Sequence, residues 1–269
     1  MVHYHQMRAA CGLASAAMIV QPRENAEARR LLDAAGAALG VSCRNMKSLL
    51  GVEGTRYQMA ESYILLKIAI SDDIGTMLAK HHEQIYEDIQ AVILHEMRTR
   101  LLMKYKKSTT MTTILDEYVE TGSIPCKLVE AYATVMKSNV ELKLLLAAFG
   151  FQPVPFPGSR DGTGSIVITH RGKQTDAWQF MLSNFNDCGI LAWQGFHWSA
   201  VKAIIESDGE VDAIYCLDPG SMTARNLPLD PHDSSTSLYF FKKNTALLEK
   251  MVPLVETQLG NKIDEKEEQ

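Results

Sequence analysis

Four residue types, met in a fixed order along the chain, are the ones whose chemistry could be covalent. Gln6 stands five residues ahead of Cys11-Gly12, where an apolar run begins. His197 lies in Gly195-Phe-His197-Trp198-Ser-Ala-Val, and Asp218 closes Tyr215-Cys-Leu-Asp218-Pro219. A cysteine at the start of a helix can be held as thiolate by the helix dipole and a nearby imidazolium. A histidine can take and return the proton, an aspartate can fix the histidine's tautomer, and a glutamine amide can hydrogen-bond the oxyanion of acyl transfer. The order Gln6, Cys11, His197, Asp218 therefore describes a thiol-hydrolase site. Each residue also has a plainer use: Cys11 as a small core hydrophobe, His197 as a satisfied core imidazole, Asp218-Pro219-Gly220 as a turn, Gln6 as part of an end segment.

The elements that must position these residues divide the chain into three textures. Cys11 to Val20 reads as a short apolar helix ended by Pro22. From Asn25 to Gly150 the pattern is helical throughout: Glu27 to Leu39 before Gly40, Met59 to Ile70, and a long helix from Asp72-Asp73 to about Tyr105. Leu115 to Val119 ends at Gly122, Pro125 opens the next helix, and Val140 to Phe149 closes at Gly150. The Pro- and Gly-rich run from Gln152 to Ser165 breaks this texture. Strands are expected at Ile166 to Thr169, Ile190 to Gln194, His197 to Ile205, Val211 to Leu217 and Ser237 to Phe241. A helix capped by Thr175-Asp176 precedes most of them, and Asp208-Gly209 is a hairpin-turn signal. Leu247 to Leu259 reads as a final helix kinked or restarted at Pro253, followed by a charged tail.

Bulk properties narrow the function classes. The 269 residues carry 46% hydrophobic and 22% charged side chains, an ordinary globular balance. A net charge of −5 leaves no basic surplus for a general nucleic-acid binder. The local basic stretch Arg98 to Lys107 suits a helix end facing solvent. No run approaches the ~20 apolar residues of a membrane span. The cysteines Cys11, Cys43, Cys126, Cys188 and Cys216 are odd in number and lack CxxC spacing, which favours a reducing, cytoplasmic compartment. No signal peptide is legible at the start, and delivery as an effector by another route stays compatible with that. His81-His82 and His95-Glu96 lack HExxH spacing, and His3 and His5 flanking Tyr4 read at most as a stray metal contact. The glycines from Gly158 to Gly164 do not join a strand to a helix as a phosphate loop would. No metal and no cofactor are expected.

The glutamine five residues before Cys-Gly at a helix start, the Gly-x-His-aromatic-x-Ala-Val strand and the Asp-Pro after the next strand resemble the papain-like cysteine peptidase superfamily. The nearest flavour is the branch with bacteriocin-leader peptidases and bacterial effector cysteine proteases. The resemblance implies an α+β fold, with a helical half headed by the cysteine and an antiparallel β-sheet half carrying histidine and aspartate. It makes Cys11 the nucleophile, His197 the general base and acid, Asp218 the orienting residue, and Gln6 with the Cys11 backbone N–H the oxyanion hole. Residues 1–245 would be the catalytic domain, with 25–150 an enlarged helical region or insertion, and 246–269 a C-terminal helix and tail. The implied function is a cysteine protease acting on a peptide or isopeptide bond of a protein or peptide substrate. Because the helical block lies between Cys11 and the strands, its ends must return near the site, and part of it is expected to restrict the cleft to one protein partner. A deamidase, transglutaminase or acyltransferase would use the same residues, and a catalytically inactive helical interaction protein is the reading from another class. Asp187-Cys188-Gly189 resembles the cysteine motif of SUMO-type proteases, but there the cysteine follows the histidine and aspartate, whereas Cys188 precedes both. The oligomeric state is open.

Overall fold

The computed structural model describes residues 1–39, 52–77, 89–105, 109–133, 139–154, 165–167, 180–229 and 236–260, apart from positions 7–9, 23, 72, 75, 122–123, 125, 181, 209 and 225. The helices α1 (Cys11–Val20), α2 (Ala26–Ala38), α3 (Val52–Ile70), α4 (Ile89–Lys104), α5 (Thr109–Thr121), α6 (Cys126–Ala133) and α7 (Asn139–Ala148) come first. Strands β1 (Phe151–Pro153), β2 (Ser165–Val167), β3 (Cys188–Gln194), β4 (Trp198–Ser207), β5 (Glu210–Leu217), β6 (Asn226–Leu229) and β7 (Thr236–Lys243) follow, and α8 (Thr245–Gly260) comes last. The protein is of the α+β class.

Local chemistry explains the element ends. Asn25 caps α2, its side-chain oxygen accepting from the Ala28 N–H at 3.2 Å, and Ala28, Leu31, Leu32 and Ala35 then bury one stripe of that helix. After α1 the chain turns through Gln21 in the left-handed region, whose N–H bonds the Ala17 carbonyl, ahead of Pro22. Asn244 caps α8 by accepting from the Leu247 N–H at 3.1 Å. Pro253 neither breaks nor restarts α8, which runs continuously to Gly260. Pro253 and Glu249 are both exposed, so the lost hydrogen bond falls on the solvent side. Burial of Met251, Val252, Val255 and Leu259 holds the helix together on the other.

The sheet is antiparallel, ordered β1-β7-β3-β4-β5-β6, with β2 also paired to β7. Its two faces divide by alternation. Leu191, Trp198, Ala200, Leu217, Tyr239 and Phe241 face the helices, while Ile190, Ala192, Val201, Ile214, Cys216, Leu238 and Phe240 form a second cluster behind, where Phe180 meets Phe240 edge-on. The hairpin between β4 and β5 pairs Ser207 with Glu210, leaving Asp208 (φ 54°) and Gly209 as the connection that their sequence signals.

Strands β1 and β6 were not expected from the sequence. Both are short, at the outer positions of the sheet, and each carries a proline, which such edges tolerate. The Thr175-Asp176 cap and the middle of the helix expected over residues 72–105 lie outside the described residues. The described parts of that stretch, at 73–74, 76–77 and 89–104, are helical.

Helix α1 is the centre of the molecule. Gly12 to Val20 are all buried, and the helix touches α3, α7, β3 and β4. Its small residues permit this. A Cβ on Gly12 would meet Leu142 of α7 at 3.3 Å and Trp198 of β4 at 3.4 Å. Where β3 crosses the other end of α1, Gly189 lies so close to the Ile19 side chain that a Cβ has no room. Helix α3 is the second hub and touches α1, α2, α4, α6, α7 and α8, so residues of the helical block share one core with α1, the sheet and α8. Three helices of that block are tied by the fully buried Glu141 carboxylate, which accepts from Arg100 at 2.9 Å and from the Tyr132 hydroxyl at 2.6 Å.

The close passage of β3 over α1 is directly testable. Gly189→Ala should destabilise the protein by about 1–3 kcal/mol in a denaturant titration, because Ile19 cannot withdraw. In an Ile19→Ala background the same substitution should be nearly neutral, a non-additivity that reports the contact itself. Equal cost in both backgrounds would place the strain elsewhere.

Candidate active site

Cys11 is the first residue of α1, and no side chain caps that helix: the residue ahead of it is Ala10. The first-turn N–H groups therefore face whatever sits at the helix start. The half-buried Cys11 sulfur receives the backbone N–H groups of Gly12 and Trp198 and a hydrogen bond from the His197 side chain. Trp198 opens β4 and is fixed by aromatic packing against Trp193 at 4.9 Å and Tyr239 at 5.3 Å.

His197 precedes β4 rather than lying within it. The β3–β4 connection turns through Gly195 at φ 65°, with the Gln194 N–H donating to the His197 carbonyl at 2.9 Å. This tight link leaves Phe196 at 86% exposure beside the histidine and lets the imidazole lean toward α1. Asp218 follows β5 directly, and the register Ala200↔Leu217 sets the two residues at the same end of neighbouring strands. His197 Nε2 meets Asp218 Oδ1 at 2.9 Å, leaving Nδ1 for Cys11. The same Oδ1 accepts the Gly220 N–H at 2.8 Å, which aims the carboxylate. A Cβ on Gly220 would come to 3.2 Å from that oxygen, so the residue's lack of a side chain serves the close turn.

The electrostatics of the pair oppose one another in a definite way. Burial pushes the Cys11 thiol up. The His197 hydrogen bond and charge, with the Trp198 and Gly12 N–H groups, outweigh burial and hold the thiol below its ordinary range. His197 is raised above its ordinary range, first by the hydrogen bond to Cys11, against the cost of burial, and then by Asp218. The two shifts bring the titration ranges of thiol and imidazole toward each other, the direction that favours the thiolate–imidazolium form. Cys11 contributes stability that is complete above the ordinary thiol range and is lost as pH falls through its lowered value. The contribution of His197 is complete below the ordinary imidazole range and is lost as pH rises through its raised value.

The two other thiols among the described residues, Cys188 and Cys216, are not prepared in this way. Burial raises Cys188 at the start of β3, with Lys242 opposing and Asp187 adding to the rise. Burial pushes Cys216 up to about 12, against a hydrogen bond from Ser199. Cys43 and the side chain of Cys126 lie outside the described residues, as do His81 and His82, and His95 is exposed on α4.

Gln6 is brought to the same neighbourhood by its backbone. Its N–H donates to the Pro219 carbonyl at 2.8 Å, and its side-chain oxygen is enclosed away from solvent. His3 and His5, flanking Tyr4, bond carbonyl oxygens of the Asp218 turn: Nε2–H of His3 to Asp218 at 2.8 Å, and Nδ1–H of His5 to Ser221 at 2.8 Å. These contacts, the Trp198 N–H and the Gly220 N–H were missed from sequence. The only signal was the alternation of two histidines in the opening segment.

An imidazole held between a thiol and a carboxylate, with the thiol at an uncapped helix start, can shuttle a proton during thiolate attack on a carbonyl. In comparisons with known proteins, no family model, no curated protein and no solved structure matched the chain. Among the described residues no helix is long and apolar enough to cross a membrane.

If His197 is what makes Cys11 a thiolate, iodoacetamide at pH 6 should label Cys11 at least tenfold faster than Cys188 or Cys216, as mapped by peptide mass spectrometry. In His197→Ala the imidazole's hydrogen bond and charge are gone while the Trp198 and Gly12 N–H groups remain, so the thiol should titrate higher than in the native protein and labelling at pH 6 should slow. Labelling that ignores His197 would contradict the ion pair.

Proposed function

We propose that the protein is a cysteine hydrolase of papain-like type, a protease that cuts a peptide or isopeptide bond. The observation that carries this reading is a single imidazole, His197, in contact with both the Cys11 sulfur and the Asp218 carboxylate, residues set far apart in sequence. Neither a core cysteine nor a core histidine requires this arrangement, in which one residue is held ready to ionise by the other.

In the proposed reaction the Cys11 thiolate attacks the substrate carbonyl carbon, and the C=O electron pair moves onto oxygen. The Cys11 backbone N–H and the Gln6 amide stabilise that oxyanion. Collapse of the intermediate breaks the C–N bond as the His197 imidazolium gives its proton to the leaving amine. A thioester of Cys11 remains. Water then attacks the thioester while His197 takes its proton, and the acid product leaves with the thiolate regenerated. Asp218 keeps Nε2 protonated and Nδ1 turned toward the sulfur throughout. Phe196, exposed beside His197, supplies an apolar contact for the substrate chain.

The pH profile follows from the directions of the two shifts. The rate should be bell-shaped, with an acid limb where Cys11 gains its proton, below the ordinary thiol range. Its alkaline limb should lie where His197 loses its proton, above the ordinary imidazole range. Product analysis identifies the bond. Incubation with candidate protein substrates should give cut chains by mass spectrometry, and none with Cys11→Ala. A one-dalton change, or a cross-link, in place of cleavage would move the reaction to deamidation or transglutamination. Absence of both product and Cys11 labelling would indicate an interaction protein. For a cleaved peptide, Phe196→Ala should raise KM severalfold with little change in kcat or in Cys11 alkylation, since only remote binding is lost. A fall in kcat alone would remove Phe196 from substrate binding.

A further inference from the structure

The opening segment, residues 1–6, forms neither helix nor strand, yet it lies against the turn that carries Asp218. Three successive contacts define the docking. His3 donates from Nε2 to the Asp218 carbonyl, Gln6 from its backbone N–H to the Pro219 carbonyl, and His5 from Nδ1 to the Ser221 carbonyl, each at 2.8 Å. A carbonyl only accepts, so each imidazole must carry its proton on the bonded nitrogen. The segment is anchored in turn from behind: Gln58, buried on α3, donates from Nε2 to the His5 carbonyl at 2.6 Å.

A continuous path of hydrogen bonds thus runs from α3 through His5 and the 218–221 turn to the His197 imidazole and the Cys11 sulfur. The turn's own bonds, Gly220 N–H to the Asp218 carboxylate and Ser221 N–H to the Asp218 carbonyl at 3.2 Å, give it shape, and β5 holds its start. The opening segment adds bonds to three of its carbonyls. It also carries Gln6, so the residue assigned to the oxyanion and the residue that orients His197 are held by one strap.

We propose that His3 and His5 are positioning residues: they clamp the Asp218–Ser221 turn so that the Asp218 carboxylate stays on His197 Nε2. The inference rests on the hydrolase reading. It assigns no proton transfer to either histidine. It requires only an N–H at a given reach, which makes the conservative replacements specific. A glutamine amide nitrogen occupies the reach of imidazole Nε2, and an asparagine amide nitrogen that of Nδ1.

The test reads Cys11 alkylation by iodoacetamide across pH, with thermal melting measured on each variant. His3→Ala and His5→Ala should each slow labelling at pH 6 by about fivefold, the effect of losing one modest hydrogen bond, and should move the profile toward that of Asp218→Ala. His3→Gln and His5→Asn should restore most of the rate, whereas His3→Asn, too short to reach, should not. A variant that melts earlier but whose folded protein labels with the unaltered pH profile overturns the clamp. So does an unaltered rate in both alanine variants while Asp218→Ala is slow, a result that leaves the hydrolase reading standing. Unaltered labelling in Asp218→Ala and His197→Ala as well would remove the hydrolase reading and the clamp together.

Discussion

Burial and the His197 contact compete at one sulfur atom, and the fold is organised around the outcome. A thiol taken out of water and left alone is pushed toward its protonated form, as half-buried Cys188 and fully buried Cys216 illustrate. Cys11 differs because an imidazole and two backbone N–H groups converge on it. That convergence demands that α1 and β4 approach to within side-chain contact. The demand explains Gly12 between Leu142 and Trp198, Gly189 beneath Ile19, and the run of small residues along α1. A bulkier α1 would lift the sulfur away from the strand that presents the histidine.

The helical block serves the same contact from the other side. Helix α7 closes on Gly12 through Leu142, and α3 reaches the opening segment through Gln58. The block therefore joins the core and the surroundings of the site. Its buried Glu141, paired with Arg100 and Tyr132, ties α4, α6 and α7 together at a distance from the chemistry. A buried carboxylate adds little net stability, but its directional bonds favour one arrangement of the three helices over others.

The sequence was legible where local patterning and tertiary demand agree. Cys11 to Val20 is helical over the bounds that its apolar run and Pro22 indicate, because every residue after Cys11 is buried and nothing local opposes a helix. The β4–β5 hairpin follows from Asp208-Gly209, a signal contained in two residues. His197 was expected inside a strand and instead stands just before one. The positive φ of Gly195 and the exposure of Phe196 form a turn that alternation of apolar residues does not reveal. Strands β1 and β6 escaped notice because pairing with a neighbour, not their own composition, makes them strands. The candidate set Gln6, Cys11, His197 and Asp218 was legible as residue types in order. The clamp by His3 and His5 was not, since its acceptors are backbone carbonyls more than two hundred positions away and carry no sequence signature.

Whether Cys11 and His197 exist as a thiolate–imidazolium pair can be read from an NMR titration of the His197 imidazole in the native protein and in Cys11→Ala. In the native protein His197 should titrate above the ordinary imidazole range. It should fall clearly when the sulfur is removed, because the bond to Cys11 is the largest cause of the rise and Asp218 alone must then work against burial. A His197 titration unchanged by loss of Cys11 would contradict the ion pair, and would leave Cys11 a structural cysteine beside a histidine–aspartate pair.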